Sequence, residues 1–106
     1  MTVGDILRVV DATKANEYDD ATKIGWINEV EGMIYCETAN ARKAEFIPLR
    51  SSNDKVSLPE AYTRIYFLYI YAMMSLSKSE YTVYLRVIAE FEKAFSQYAR
   101  FAIRNR

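Results

Sequence analysis

Cys36 is the one thiol in this chain, and no histidine stands anywhere to activate it. A cysteine nucleophile needs a neighbouring base or cation to hold its thiolate. Cys36 is therefore expected to act as a small buried hydrophobe, with a reactive thiol or an intermolecular bridge as the alternative. The lack of histidine also removes the usual general base, the Ser–His pair and the commonest metal ligand. A single cysteine excludes a thiolate zinc site. The adjacent Asp19 and Asp20 could be a carboxylate pair, but they precede an apolar-periodic run, which suits helix capping better. No glycine-rich phosphate loop occurs. The residues point to no catalytic, cofactor or metal site, so a non-enzymatic protein is expected, although acidic or tyrosine-based chemistry would leave no sequence mark.

Nine tyrosines and five phenylalanines are the other unusual chemistry. Such rings can stack on single-stranded bases, but single-strand binders interleave them with basic residues. Here the tyrosines recur at helical spacing, which points first to packing. Tyrosine is also favoured at protein interfaces, where the ring is buried and the hydroxyl is hydrogen-bonded.

The elements that carry them lie mostly between Pro59 and Arg106. Leu58, before a proline, is expected outside the helix, which makes Pro59 the first helical residue; a Ser57/Glu60 capping box ranks second. Tyr62, Ile65, Tyr66, Tyr69, Ile70, Met73 and Leu76 form one stripe, with Phe67, Leu68 and Tyr71 off it. A helix apolar nearly all round is either central in its fold or covered by another subunit. It is too short and too interrupted to be a membrane span. The last helix has a cleaner seam in Tyr84, Ile88, Phe91, Phe95, Tyr98 and Ala102, with Arg86 and Glu90 as an i,i+4 pair. The two stripes differ in phase by roughly 100°. A turn at Ser77 to Ser79 removes that conflict, with either serine able to cap the next helix, and makes the helices antiparallel neighbours. A ~50-residue hairpin so rich in aromatics has more apolar surface than a small monomer can hide, which argues for an oligomer.

The 106 residues make one domain, 1–106. Fourteen acidic and fourteen basic side chains cancel, which gives no overall charge argument for nucleic acid or membrane. Scarce glycine and proline favour helix. The first residues, with Asp5 inside the first apolar run, do not read as a signal peptide, and a reducing cytoplasm is the expected place of synthesis. Thr2 is expected to cap a first helix carrying Ile6, Leu7, Val9 and Val10 that ends by Lys14. Asn16 to Asp20 is a connector, and Asp19 or Asp20 caps a second helix with Ile24, Ile27, Val30 and Ile34 inward and Trp26 and Met33 flanking. Gly25 and Gly32 there signal either close approach of another backbone or tolerated weakness. Thr38 to Ser57 has no helical period. Ala39 to Ala44 extends the second helix or is a loop, Phe46, Ile47 and Leu49 surround Pro48 and could form a short edge strand, and Ser51 to Lys55 is a polar turn. The fold class is thus all-α, about four helices with an antiparallel C-terminal hairpin and an irregular central loop.

With these residues in view, the chain resembles a family of small head–tail connector, adaptor or DNA-packaging proteins from tailed phages and prophages of Gram-positive bacteria. The matching residues are Asn16, Tyr18, Lys23, Trp26, Ile27, Glu29, Val30, Glu31 and Gly32. After the loop they are Leu58-Pro59, Tyr62, Tyr66, Tyr69 and Ala72, then Glu80-Tyr81, Tyr84, Phe91, Phe95, Phe101 and Arg104. Two positions depart from the family pattern: Ser79 stands for a glycine, and Met73 or its neighbours for an acidic residue. The resemblance implies a virion protein at the head–tail junction, assembled in the host cytoplasm. It forms a homo-oligomeric ring beneath the portal that extends the DNA channel without sequence-specific binding and receives the next connector or tail protein. The candidate interface comprises Tyr62, Tyr66 and Tyr69 on the hairpin, Phe46, Ile47, Leu49 and Arg50 in the loop, and Arg100, Arg104 and Arg106 at the end. A prophage-derived DNA-binding or regulatory helical module is the alternative.

Overall fold

The computed structural model describes residues 1–37 and 45–104. Arg106 and the stretch Ala39 to Ala44, whose helix-or-loop alternative was left open, lie outside the described residues. Among the described residues four helices follow one another: α1 (Val3–Thr13), α2 (Asp20–Glu37), α3 (Arg64–Ser77) and α4 (Tyr81–Arg104), with a 3-10 turn at Glu60–Tyr62 before α3. Among the described residues the one β pairing is an isolated bridge between Thr2 and Lys55. No described helix is long and apolar enough to cross a membrane.

α1 begins as its sequence dictates. Thr2 Oγ1 accepts from the Asp5 N–H at 3.2 Å, and Asp5 Oδ2 accepts from the Thr2 N–H at 2.9 Å, a reciprocal cap that satisfies two donors. Two further donors of the first turn, the N–H groups of Val3 and Gly4, bond to the Asp54 and Ser52 carbonyls at 2.9 and 2.8 Å. Thus the 51–54 turn, rather than solvent, completes the helix start. Gly4 permits this, because a Cβ there would stand 3.0 Å from the Ser52 carbonyl oxygen. Val3, Ile6, Leu7 and Val10 face the core.

α2 starts after Asp19, whose Oδ1 accepts from the Thr22 N–H at 2.8 Å. It buries Ile27, Val30 and Ile34 of the expected stripe and leaves Ile24 half-buried. Among the described residues nothing stands within 4 Å of a Cβ placed at Gly25 or Gly32, so no described backbone approaches them closely. Cys36 is exposed, contrary to the expected burial, because it falls on the outer side of the last turn of α2.

Pro59 is not the first helical residue. It holds an extended conformation (φ −60°, ψ 157°) and caps the 3-10 turn, so α3 begins five residues later at Arg64. The tight turn lets Leu58 and Val56 bury beneath α1 and α3 while it swings Tyr62 toward α4. Ser57 makes no capping box with Glu60; its N–H and hydroxyl both go to Glu31.

α3 is the central helix. It packs against α1, α2 and α4 and buries Ile65, Tyr66, Leu68, Tyr69, Ile70, Ala72 and Met74. Three-sided contact brings Leu68 inside with the stripe, and places Met74 inside while Leu76 is left exposed. α3 ends in a turn whose bonds run from the Ser79 N–H to the Leu76 carbonyl (3.1 Å) and from the Glu80 N–H to the Ser75 carbonyl (2.9 Å). This is the Schellman pattern, which requires a left-handed residue, and Ser79 supplies it at φ 60°. A glycine is favoured at such a position, so the departure at Ser79 sits on the one left-handed non-glycine residue described. α4 starts after Glu80, and neither serine caps it.

The hairpin is antiparallel. Tyr62 meets Tyr98 (ring centroids 5.2 Å) and, seven residues on, Tyr69 meets Phe91, seven residues back (5.0 Å). α4 is about 36 Å long at 1.5 Å per residue, close to the molecule's longest dimension of 38 Å. It packs chiefly on α3.

Candidate functional site

The candidate interface residues divide by depth. Tyr66 is fully enclosed and Tyr69 nearly so; both are corrected from surface to core. The Tyr66 hydroxyl donates to Glu31 of α2 and accepts from the Leu58 N–H at 3.1 Å. Glu31, itself buried, also accepts from the Ser57 N–H at 3.2 Å and from the Ser57 hydroxyl. A buried carboxylate with three donors and, among the described residues, no paired cation is tolerable because each donor offsets part of its desolvation. This network fastens the segment before α3 to α2. Burial, then the bond and charge of Glu31, push the Tyr66 hydroxyl well above the ordinary tyrosine range. Burial and the Glu29 carboxylate, which accepts from the Tyr69 hydroxyl at 3.1 Å, push Tyr69 up to about 12.

A second buried charge lies at the other end of α2. Lys23 donates to Asp11 at 2.7 Å and to Asn16 Oδ1 at 3.4 Å, tying α1, the connector and α2 together. The bond from Lys23 holds the Asp11 carboxyl below its ordinary value. Tyr18 packs edge-on against Trp26 at 5.2 Å. Asn16, Tyr18, Lys23, Trp26, Glu31 and Tyr66, which help carry the family resemblance, are therefore the residues that lock the subunit.

The loop candidates stand outside this core. The side-chain amide of Asn28 donates to the Leu49 carbonyl and accepts from the Leu49 N–H, both at 2.8 Å. The helix thus supplies the pairing that an adjacent strand would give; the short edge strand that the sequence allowed is not formed, and the segment is tied to α2 instead. Phe46 is half-buried against Tyr35 (5.5 Å). Ile47 between them is 77% exposed. The Arg50 N–H donates to Asp54 Oδ2 at 2.8 Å while its side chain is exposed. Asn28 carried no signal in sequence beyond being a polar residue within α2.

On the hairpin, Tyr62 is half-buried in an edge cluster with Tyr98 and Phe101 (5.2 and 5.3 Å), and Arg100 and Arg104 are exposed. The seam of α4 is filled as expected, with Phe91 and Tyr98 buried and Tyr84, Ile88, Phe95 and Ala102 half-buried. Sequence reasoning missed the row beside it. Tyr81 is 60%, Leu85 64% and Ile103 54% exposed. At roughly 100° per residue these fall within about 40° of one another, next to Ile88 and Phe95, with the exposed Glu92 on the same face between Leu85 and Ile103. The signal was there for Leu85 and Ile103 as apolar residues one position past the seam, and for Tyr81 as the seam's next step back. The expected Arg86–Glu90 pair is replaced by Arg64–Glu90 across the hairpin at 3.5 Å.

Among the described residues no group of three or more His, Cys, Asp or Glu could hold a metal ion. A hollow of about 700 Å³ lies beside the α1–α2 connector at Asn16, Glu17, Tyr18 and Lys78. No family model, curated protein or solved structure matches the chain.

Proposed function

We propose that this protein is a non-enzymatic assembly subunit of the phage head–tail connector kind. It associates with copies of itself into a ring beneath the portal, prolongs the DNA channel and receives the next connector or tail protein at the virion's head–tail junction. The observation that supports the self-association most directly is the exposed apolar row Tyr81, Leu85 and Ile103 along a helix that packs chiefly on α3. Exposed large apolar side chains in a row signal an interface more often than scattered ones do. The row adjoins the filled seam, so a neighbouring subunit seated there would extend the hairpin's own packing. Partner capture belongs to the 45–50 segment, where Asn28 fixes the backbone and presents Ile47 outward.

Sedimentation equilibrium over a wide concentration range tests the first part. Wild type is expected to associate, and Leu85→Glu and Ile103→Glu to remain monomeric with unchanged melting temperature. Equal behaviour of wild type and both variants would refute the role given to α4. For the second part, Ile47→Ala is expected to leave the fold intact and weaken binding to a portal protein; a large fall in stability would assign Ile47 to the core instead.

A further inference from the structure

The chain is neutral overall, but the charges are not evenly placed. From Ala61 onward there are seven basic and three acidic residues; before it there are seven basic and eleven acidic. Within α4 the excess cations are in register. Arg86, Lys93 and Arg100 are seven residues apart, and Arg104 follows one turn later. At roughly 100° per residue the four lie within about 40° of one another, about opposite the buried Phe91 and Tyr98. All four are exposed, and none makes an ion pair among the described residues. Glu90, the carboxylate nearest that face, is engaged by Arg64; Glu92 points about 100° away around the helix. Thr82 and Gln97, both exposed, share the face and add hydrogen-bond donors. Beside it Tyr62 and Phe101 line a groove of about 380 Å³ together with Gln97, Arg100 and Arg104.

Such a stripe suits an anion. Four like charges held along one rigid helix repel one another and gain most from a ligand with a matching linear array. From Arg86 to Arg104 the stripe runs about 27 Å, the length of about eight base pairs of duplex at 3.4 Å each. An acidic peptide offers charge too, but the aromatic groove of Tyr62 and Phe101 lies only at the Arg100–Arg104 end of the stripe. Regular spacing and donors between the cations favour a phosphodiester backbone. We propose that the outer face of α4 binds nucleic-acid phosphates without reading sequence, through Arg86, Lys93, Arg100 and Arg104. Its biological place rests on the connector function above, in which this face is the one turned toward the DNA, while the apolar row roughly a quarter-turn away meets the neighbouring subunit.

Fluorescence anisotropy of the full chain with short duplexes of two unrelated sequences tests this. The expected result is equal affinity for both, with log K falling against log salt at a slope of about −3 to −4, as four phosphate contacts require. Arg86→Glu with Lys93→Glu is expected to weaken binding more than tenfold, and each single Arg→Gln to reduce the slope by about 1. The same variants are followed by circular dichroism and by sedimentation. Loss of duplex binding with self-association retained would support the assignment. Binding unchanged in the double variant, a marked preference for one sequence, or equal capture of poly-glutamate would overturn it. If no duplex binds while Leu85→Glu still abolishes association, this inference falls and the connector function stands. If Leu85→Glu leaves association unchanged while the charge variants lose DNA, the reverse holds.

Discussion

α3 and α4 are both aromatic helices of one hairpin, yet they use their aromatic residues in opposite ways. α3 touches three other helices, so residues on nearly every side of it are enclosed, and Tyr66 disappears completely. α4 is 24 residues long but buries Phe91 and Tyr98 alone among its large side chains. Its remaining circumference divides into an apolar row and a cationic stripe. The difference shows that aromatic content does not mark an interface. What decides is how many neighbours a helix has: surrounded, its tyrosines become structural; docked on one side, its apolar surplus is left for another chain.

Substitutions on the two helices should expose this difference. The largest effect is expected from Tyr66→Ala in α3, a loss of about 3–5 kcal/mol from cavity and transfer terms, measured by urea denaturation. Leu85→Ala in α4 should fall within about 0.5 kcal/mol of wild type; a comparable loss at both positions would erase the distinction. Tyr66→Phe sharpens it, because the ring stays while Glu31 and the Leu58 N–H lose a partner. A cost of about 1–3 kcal/mol is expected.

Next in size come two backbone positions that flank the comparison. Gly4→Ala forces a Cβ against the Ser52 carbonyl at 3.0 Å and should cost about 1–3 kcal/mol, as overpacking does. Ser79→Gly relieves the left-handed strain at the hairpin turn and should stabilise by about 1 kcal/mol, read as a higher melting temperature.

The pH response should also separate interior from surface. Tyr66, Tyr69 and Tyr98 are all raised, chiefly by burial, above the ordinary tyrosine value of 10.0. Above pH 10 the unfolded chain releases these protons while the folded one keeps them, so stability falls as pH rises, through about 12 for Tyr69. Tyr66→Phe should make that alkaline slope shallower by one proton. At the acid end Asp5, Asp11, Asp19 and Asp54 are lowered by hydrogen bonds, chiefly from Thr2, Lys23, Thr22 and the Arg50 N–H. Their contribution is complete above the ordinary value of 3.8 and is lost as pH falls below it. Denaturation midpoints across both ranges check the two signs, and the acid effect should be the smaller because these carboxylates are solvent-exposed.

The helical class and the hairpin followed from the amino-acid order, because both rest on local information. Periodicity at three and four residues, Thr2 and Asp19 at helix starts, and a phase break near Ser77 to Ser79 are properties of neighbours along the chain. The seam of α4 was legible for the same reason, since a helix docked on one face buries one clean stripe. Depth was not legible. Whether Tyr66 points into a core or toward a partner depends on how many helices surround it, and the Glu31–Ser57–Tyr66 network joins residues up to 35 apart in the chain. The pairing of Asn28 with Leu49, the dependence of α1 on the 51–54 turn, and the exchange of Arg86 for Arg64 at Glu90 likewise arise from contacts that no window of sequence contains. Sequence determined which segments coil and which face of each is apolar, since those are set by side chains a turn apart; tertiary packing alone decided which faces remained free, since burial is a property of neighbours in space.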